Sequence, residues 1–227
     1  MGVVMGSATD MMKRFLAAIG LILLYMGIWG VLFYLCIIIC GENDSAIATG
    51  VLAGTVFFMI GFIPYLDFVA KKVFYFPGDG TPGPLEKLWE EITDINRFDA
   101  PAMVKERGNT LIVTWKYVDA RWWEILAKAG LKKIYELHIK FNNEKKEVTL
   151  IDVKKSVSWR AGPTQVRVSG GFFRGVIFSY EIGKMWGIKE NFGIGKIYDY
   201  EFTPQEIKNP VMNTILRNGW AVRFGMW

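Results

Sequence analysis

The sequence predicts an α+β membrane protein: a two-helix transmembrane hairpin followed by a mostly antiparallel β-sheet domain with flanking helices. Three observations predict it. Two long apolar runs near the N-terminus are separated by "GENDS", residues 41–45. A Pro/Gly-rich stretch follows them. Beyond it the apolar spacing changes from helical to period two, as it does where a chain passes from helices into a sheet.

The first run, "FLAAIGLILLYMGIWGVLFYLCIIIC", occupies residues 15–40 without a charge. Its 26 residues suffice to cross a hydrocarbon core with some tilt. The second run, residues 46–70, carries a single charge, Asp67. The break between them has a helix-stopping Gly and then turn formers. A signal peptide is the competing reading, with Lys13-Arg14 as its basic region and Ala46-Ile47-Ala48 as a cleavage site. The apolar run is far longer than such a peptide needs. Residues 1–14 form an N-terminal segment, and 15–72 the hairpin. Lys13 and Arg14 precede the first span, Lys71 and Lys72 follow the second, and the connection holds only Glu42 and Asp44. By the positive-inside rule both termini are cytoplasmic. Asn43-Asp44-Ser45 is formally a glycosylation sequon, too close to the bilayer to serve as an acceptor. "MGVVMGS" misses the myristoylation pattern by one place.

Glycines set the expected packing of the spans. Gly20 and Gly27 are seven apart in the first; Gly50, Gly54 and Gly61 recur on one side of the second. Helices in lipid associate chiefly where small residues let backbones approach. The bulky remainder, among it Trp29, Phe33 and Phe58, is expected to face lipid or partner helices. Asp67 lies four residues before Lys71, which suits an i, i+4 ion pair at the interface. Cys36 and Cys40 are the only cysteines and read as apolar packing residues.

Residues 73–84, with "FPGDGTPGP", read as a linker, and 85–227 as a cytoplasmic domain. "LEKLWEEITDINRF" has Leu85, Leu88, Trp89, Ile92 and Ile95 at helical spacing. "TLIVTWKYV" and "IYELHIKFN" alternate instead. A polar turn at 142–145 and the returning run "EVTLIDVKKSVSW" complete the clearest hairpin. Further strands are expected over 165–169, 176–182 and 196–202. Thr203-Pro204-Gln205-Glu206 is a capping box that opens a helix, and Asn218-Gly219 closes it. A helix, roughly six or seven strands and a terminal helix are the order of a pleckstrin-homology-like roll, an analogy of architecture that no motif carries.

Charge bounds the function. The chain has 27 Lys and Arg against 22 Asp and Glu, a net +5. Residues 1–72 hold four of each sign, so the excess belongs to the domain. A basic domain tethered below an anionic leaflet is drawn to it, and no dense basic run argues for nucleic acid. "DARWWEILAKAGLKK", residues 119–133, sets Trp122 and Trp123 among Arg121, Lys128, Lys132 and Lys133. Tryptophans with cations suit a membrane interface; packing of Trp122 on the sheet is the plainer alternative.

No catalytic, cofactor or metal-binding set is legible. His138, the single histidine, sits on the polar face of its strand between Glu136 and Lys140. "NFGIGK" at 191–196 lacks the third glycine of a dinucleotide fingerprint and the Ser/Thr of a P-loop. The expected function is therefore non-enzymatic and without cofactor. It is a membrane scaffold or accessory subunit that contacts lipid and partner subunits or its own copies. A lipid- or ligand-sensing module and an oligomeric two-span pore are the alternatives.

Overall fold

The computed structural model describes residues 8–97, 101–116, 133–159, 166–175 and 204–227. It divides into a helical unit, Val4–Phe74, and an α+β unit, Tyr75–Trp227.

In the helical unit, α1 spans Ala8–Cys40 and α2 spans Asp44–Val73, with 33 and 30 residues. Both are long and apolar enough to cross a membrane, with mean hydropathies of 2.5 and 2.2 over their most apolar stretches. The turn forms for local reasons. Gly41 takes φ +58°, a region open to glycine at no steric cost. The Asn43 side chain then accepts from Ala46 N at 3.1 Å and caps α2. At the other end Arg14 donates to the Val73 carbonyl at 2.7 Å, satisfying an acceptor that the end of α2 leaves open. Lys71 pairs with Asp67 one turn back, the geometry expected from their spacing.

Among the described residues of the α+β unit there is one seven-stranded sheet. In chain order its elements are β1 (Tyr75–Phe76), α3 (Leu85–Thr93), a 3-10 turn (Asp94–Arg97), β2 (Ala102–Arg107), β3 (Thr110–Trp115), β4 (Lys133–Asn142), β5 (Glu147–Trp159), β6 (Val166–Gly175), α4 (Pro204–Arg217) and β7 (Ala221–Phe224). The strands lie in the order β1-β7-β5-β4-β3-β2, with β6 on β5. Strand β5 is long enough to serve two neighbours on one edge. Residues 147–150 pair with β7 and residues 152–159 with β6.

The sheet is mixed rather than wholly antiparallel: β7 runs parallel to β5, with Val148 opposite Val222 and Leu150 opposite Phe224. A chain that arrives by way of a helix can return in the parallel sense, which a tight hairpin forbids. The chain therefore ends in a strand beyond its last helix. Strands β1, β2 and β7 were not legible in the sequence, being short or irregular in pattern. The expected strands at 176–182 and 196–202 lie outside the described residues.

The face of the sheet under the helices carries the main core, while Ile134, Ile151 and Val153 are buried on the other face. Along β3, β4 and β5 the helix-covered face buries Leu111, Val113 and Trp115; Leu137, Ile139 and Phe141; Val148 and Leu150. Helices α3 and α4 cover them with Leu88 and Ile92, and with Ile207, Val211 and Ile215. Trp220 is fully buried among them, its indole donating to Gly83 O at 2.9 Å.

The stretch read as a linker belongs to this unit. Asp79 N bonds to Leu216 O at 2.8 Å and Gly83 N to Asn218 O at 2.9 Å. Gly78 and Gly219 mark where the two backbones cross. A Cβ on Gly78 would lie 2.2 Å from the Gly219 carbonyl carbon, so no other residue fits there.

Candidate functional site

Two charged residues stand at core registers. Asp152 continues the buried alternation of Val148 and Leu150 in β5, and Lys208 sits in the apolar stripe of α4 between Ile207 and Val211. They are 1 % and 6 % exposed. They meet: Lys208 Nζ lies 2.6 Å from Asp152 Oδ2, and Tyr135 of β4 donates to the other carboxylate oxygen. The ammonium also stands 4.1 Å from the centre of the Phe224 ring in β7, a cation–π distance. Four elements thus meet around one ion pair. Burial pushes the Lys208 ammonium below its ordinary pKa, against the pull of Asp152. Burial likewise pushes the Tyr135 phenol well above its own, with the Asp152 charge and hydrogen bond adding to it. The phenol is a held donor, and the cluster fixes α4 on the sheet.

A second cluster lies on the opposite face, because Glu136 follows Tyr135 and adjacent strand residues point apart. Glu136 accepts from Lys155 Nζ at 2.6 Å and stands 3.0 Å from His138 Nε2. Burial raises its carboxyl, but the hydrogen bonds and charges of His138 and Lys155 outweigh that and bring its pKa to about 2. His138, which reads as solvent-facing in sequence, has a side chain only 16 % exposed. Neither cluster adds up to a metal centre. Among the described residues no group of three or more His, Cys, Asp or Glu could hold a metal ion.

Sequence reasoning passed over Asp152 and Lys208. The signal was there: an acid in the apolar register of a strand and a base in the apolar stripe of a helix, opposite in sign.

In the helical unit the glycines of α2 face the bulky residues of α1. A Cβ on Gly50 would lie 2.5 Å from Cys36 Sγ, one on Gly54 2.7 Å from the Phe33 ring, and one on Gly61 2.9 Å from Tyr25 Oη. Gly20 and Gly27, assigned to the same interface from their spacing, stand off it: a Cβ on either would meet nothing within 4 Å. The seam is aromatic instead. Tyr25 stacks on Tyr65 at 4.5 Å and Trp29 meets Phe58 edge-on at 5.8 Å. Trp29, Phe33 and Phe58 are therefore seam residues rather than outward ones. Two hydroxyls find carbonyls across the seam, Tyr65 at Leu21 O (2.7 Å) and Tyr25 at Phe58 O (3.1 Å).

Of the basic, tryptophan-bearing segment, Arg121, Trp122, Trp123, Lys128 and Lys132 lie outside the described residues. Lys133 opens β4 opposite Ser156. No protein-family model matches the chain, and neither a curated protein nor a solved structure matches it.

Proposed function

We propose that the chain is a two-span integral membrane protein with both termini cytoplasmic, and that its α+β domain is a non-enzymatic scaffold or accessory subunit of a larger membrane assembly. One observation carries the membrane reading. The hairpin holds itself together by its seam while large apolar side chains cover its outside, among them Ile39 at 81 %, Leu52 at 68 % and Phe57 at 66 % exposed. So continuous an apolar surface is tolerable in lipid and not in water. The flanking Lys13, Arg14, Lys71 and Lys72 support the orientation.

The scaffold reading draws on the two buried clusters. Lys208 is engaged by Asp152, and Glu136 by Lys155 and His138. These are groups that fix a rigid module. For its architecture the pleckstrin-homology-like roll is the analogy, from which β7 after α4 departs.

Gentle detergent extraction followed by identification of co-purifying proteins tests the assignment. A stoichiometric partner is expected; a lone monomer would sink the scaffold reading, and a conducting homo-oligomer would favour the pore. Orientation is read separately in intact cells with Cys36 and Cys40 replaced by serine. Ser45→Cys should react with an impermeant maleimide from outside, and Glu144→Cys should not.

A further inference from the structure

The strand register fixes which residues of the α+β unit share the level of Tyr75, where the chain enters that unit. Tyr75 pairs with Arg223, and Arg223 pairs with Thr149. The three residues lie side by side across β1, β7 and β5. Strand β1 starts at Tyr75, two residues after Val73 closes α2, and runs away from that point. Strand β7 is antiparallel to β1 and parallel to β5, so both run back toward it. Lys154 is five residues past Thr149, or about 17 Å along the strand, and Trp159 is ten residues past it, or about 33 Å. The ribbon of β5 and β6 thus projects past the level at which the chain enters the domain.

That ribbon has a distinct chemistry. From Val153 to Trp159 and from Val166 to Gly175 the two strands hold Lys154, Lys155, Arg167 and Arg174 and no acid. Lys154 is the register partner of Phe173, and Lys155 that of Phe172. Phe173 is 50 % exposed and Trp227 46 %, the only large apolar side chains so exposed among those residues of the α+β unit whose exposure is described. Phe173 and Met226 belong to one patch, beside which Trp227 follows in the chain. The Phe173 ring and the Met226 methyl both lie within 4 Å of where a Cβ on Gly175 would stand, and Trp227 follows Met226. The end of β7 is held there by Gly225 N on Leu150 O at 3.0 Å.

We propose that the β5–β6 ribbon and the C-terminal Met226-Trp227 form a lipid-docking surface that lies along the anionic cytoplasmic leaflet, with Phe173 and Trp227 at headgroup depth. The proposal rests on the reading that α1 and α2 span the membrane. If α2 ends at the leaflet, Tyr75 begins there, and the strands that continue past its level carry Lys154 and Lys155, charges that hydrocarbon does not admit. On this reading they lie along the surface. Aromatic side chains settle at that depth, and Lys154 is attracted to acidic headgroups, whereas Lys155 is engaged by Glu136 of β4.

The full chain, with Cys36 and Cys40 replaced by serine, is reconstituted into lipid nanodiscs and labelled with bimane at Phe173→Cys, Trp227→Cys or, as control, Glu144→Cys. Glu144 lies in the β4–β5 turn, at the far end of the strands. Quenching by brominated acyl chains is compared in phosphatidylcholine and in phosphatidylcholine with phosphatidylserine. Labels at 173 and 227 should be quenched in the anionic discs well above the label at 144. Lys154→Gln, read from the label at 227, should lower the docked-to-undocked ratio about fivefold, as loss of one surface cation does. Equal quenching at all three sites in anionic discs overturns the proposal. So does shielding of 173 and 227 that appears only in discs holding two copies, which would make the patch a self-association surface. Alkaline extraction separates the two readings. A chain that stays in the discs but shows no lipid-dependent quenching refutes the docking surface alone, and a chain that is extracted refutes the spanning reading beneath it.

Discussion

Lys208 Nζ stands 2.6 Å from Asp152 Oδ2, so that a helix and the strand beneath it are joined through the core by opposite charges. Such a pair is worth little over two apolar residues of similar volume. Removing one partner is different, because it strands the other charge in the interior. Lys208→Met should therefore lower the unfolding free energy by about 3–5 kcal/mol. The double variant Lys208→Met with Asp152→Leu should recover most of that loss. Urea titrations of the four combinations measure the coupling. A double variant no more stable than the worse single one would show that the pair is not what couples α4 to β5.

Glu136 ties folding to acid. Its carboxyl holds a proton less tightly in the fold, at about 2, than at its ordinary 4.5. The group therefore contributes stability above the ordinary value and loses that contribution as the pH falls toward 2. The span corresponds to about 3 kcal/mol. Glu136→Gln should be less stable than the parent at pH 6, with the gap closing between pH 5 and pH 2. Chemical denaturation of both proteins across that range gives the difference directly; a gap that is constant with pH would place the effect elsewhere.

What was legible in the sequence was what periodicity encodes. The apolar runs gave α1 and α2, helical spacing gave α3, and alternation gave β3, β4 and β5 close to their observed limits. Strand β7 was not legible, because its four residues hold too little pattern and their pairing with β5 is set by distant chain. Residues 77–83 resemble a linker, since Pro and Gly serve equally in a free tether and in a backbone crossing such as that of Gly78 with Gly219. The glycine face of α2 was visible, but its partner was not. Spacing pointed to glycines on α1, whereas the surface that fits a glycine groove is the row of Tyr25, Phe33 and Cys36. Complementarity of large to small cannot be read from either helix alone.

That row gives a prediction for the hairpin. In a Cys40→Ser background, Gly50→Cys brings a second thiol against Cys36, and mild oxidation should join α1 to α2. Adding Gly54→Leu should suppress the bond, because the new side chain meets the Phe33 ring; overpacking of this kind costs about 1–3 kcal/mol. Adding Gly20→Leu or Gly27→Leu should leave the yield unchanged, since both positions open on empty space. Thiol titration after oxidation reads the outcome. Equal suppression by all three leucines would mean that the seam lies elsewhere.

Among the described residues the sheet ends at β2, whose outer edge would offer backbone groups to any strand that came near. Asn96, from the 3-10 turn, covers the middle of that edge. Its side-chain oxygen accepts from Val104 N at 2.8 Å and its amide donates to Val104 O at 2.9 Å, as a neighbouring strand would do. Edges left bare in this way recruit other chains. Asn96→Ala should cost about 1–3 kcal/mol, the price of leaving such groups without partners. It should also make the protein self-associate as its concentration rises, because the freed edge is a template for pairing. Asn96→Asp keeps the acceptor for Val104 N and loses the donor to Val104 O, so it should fall between the parent and the alanine variant in stability. Light scattering and denaturation of the three proteins in the same detergent decide it. If Asn96→Ala is destabilised but stays monomeric at every concentration, the amide is a structural clasp, and the edge is protected by something else.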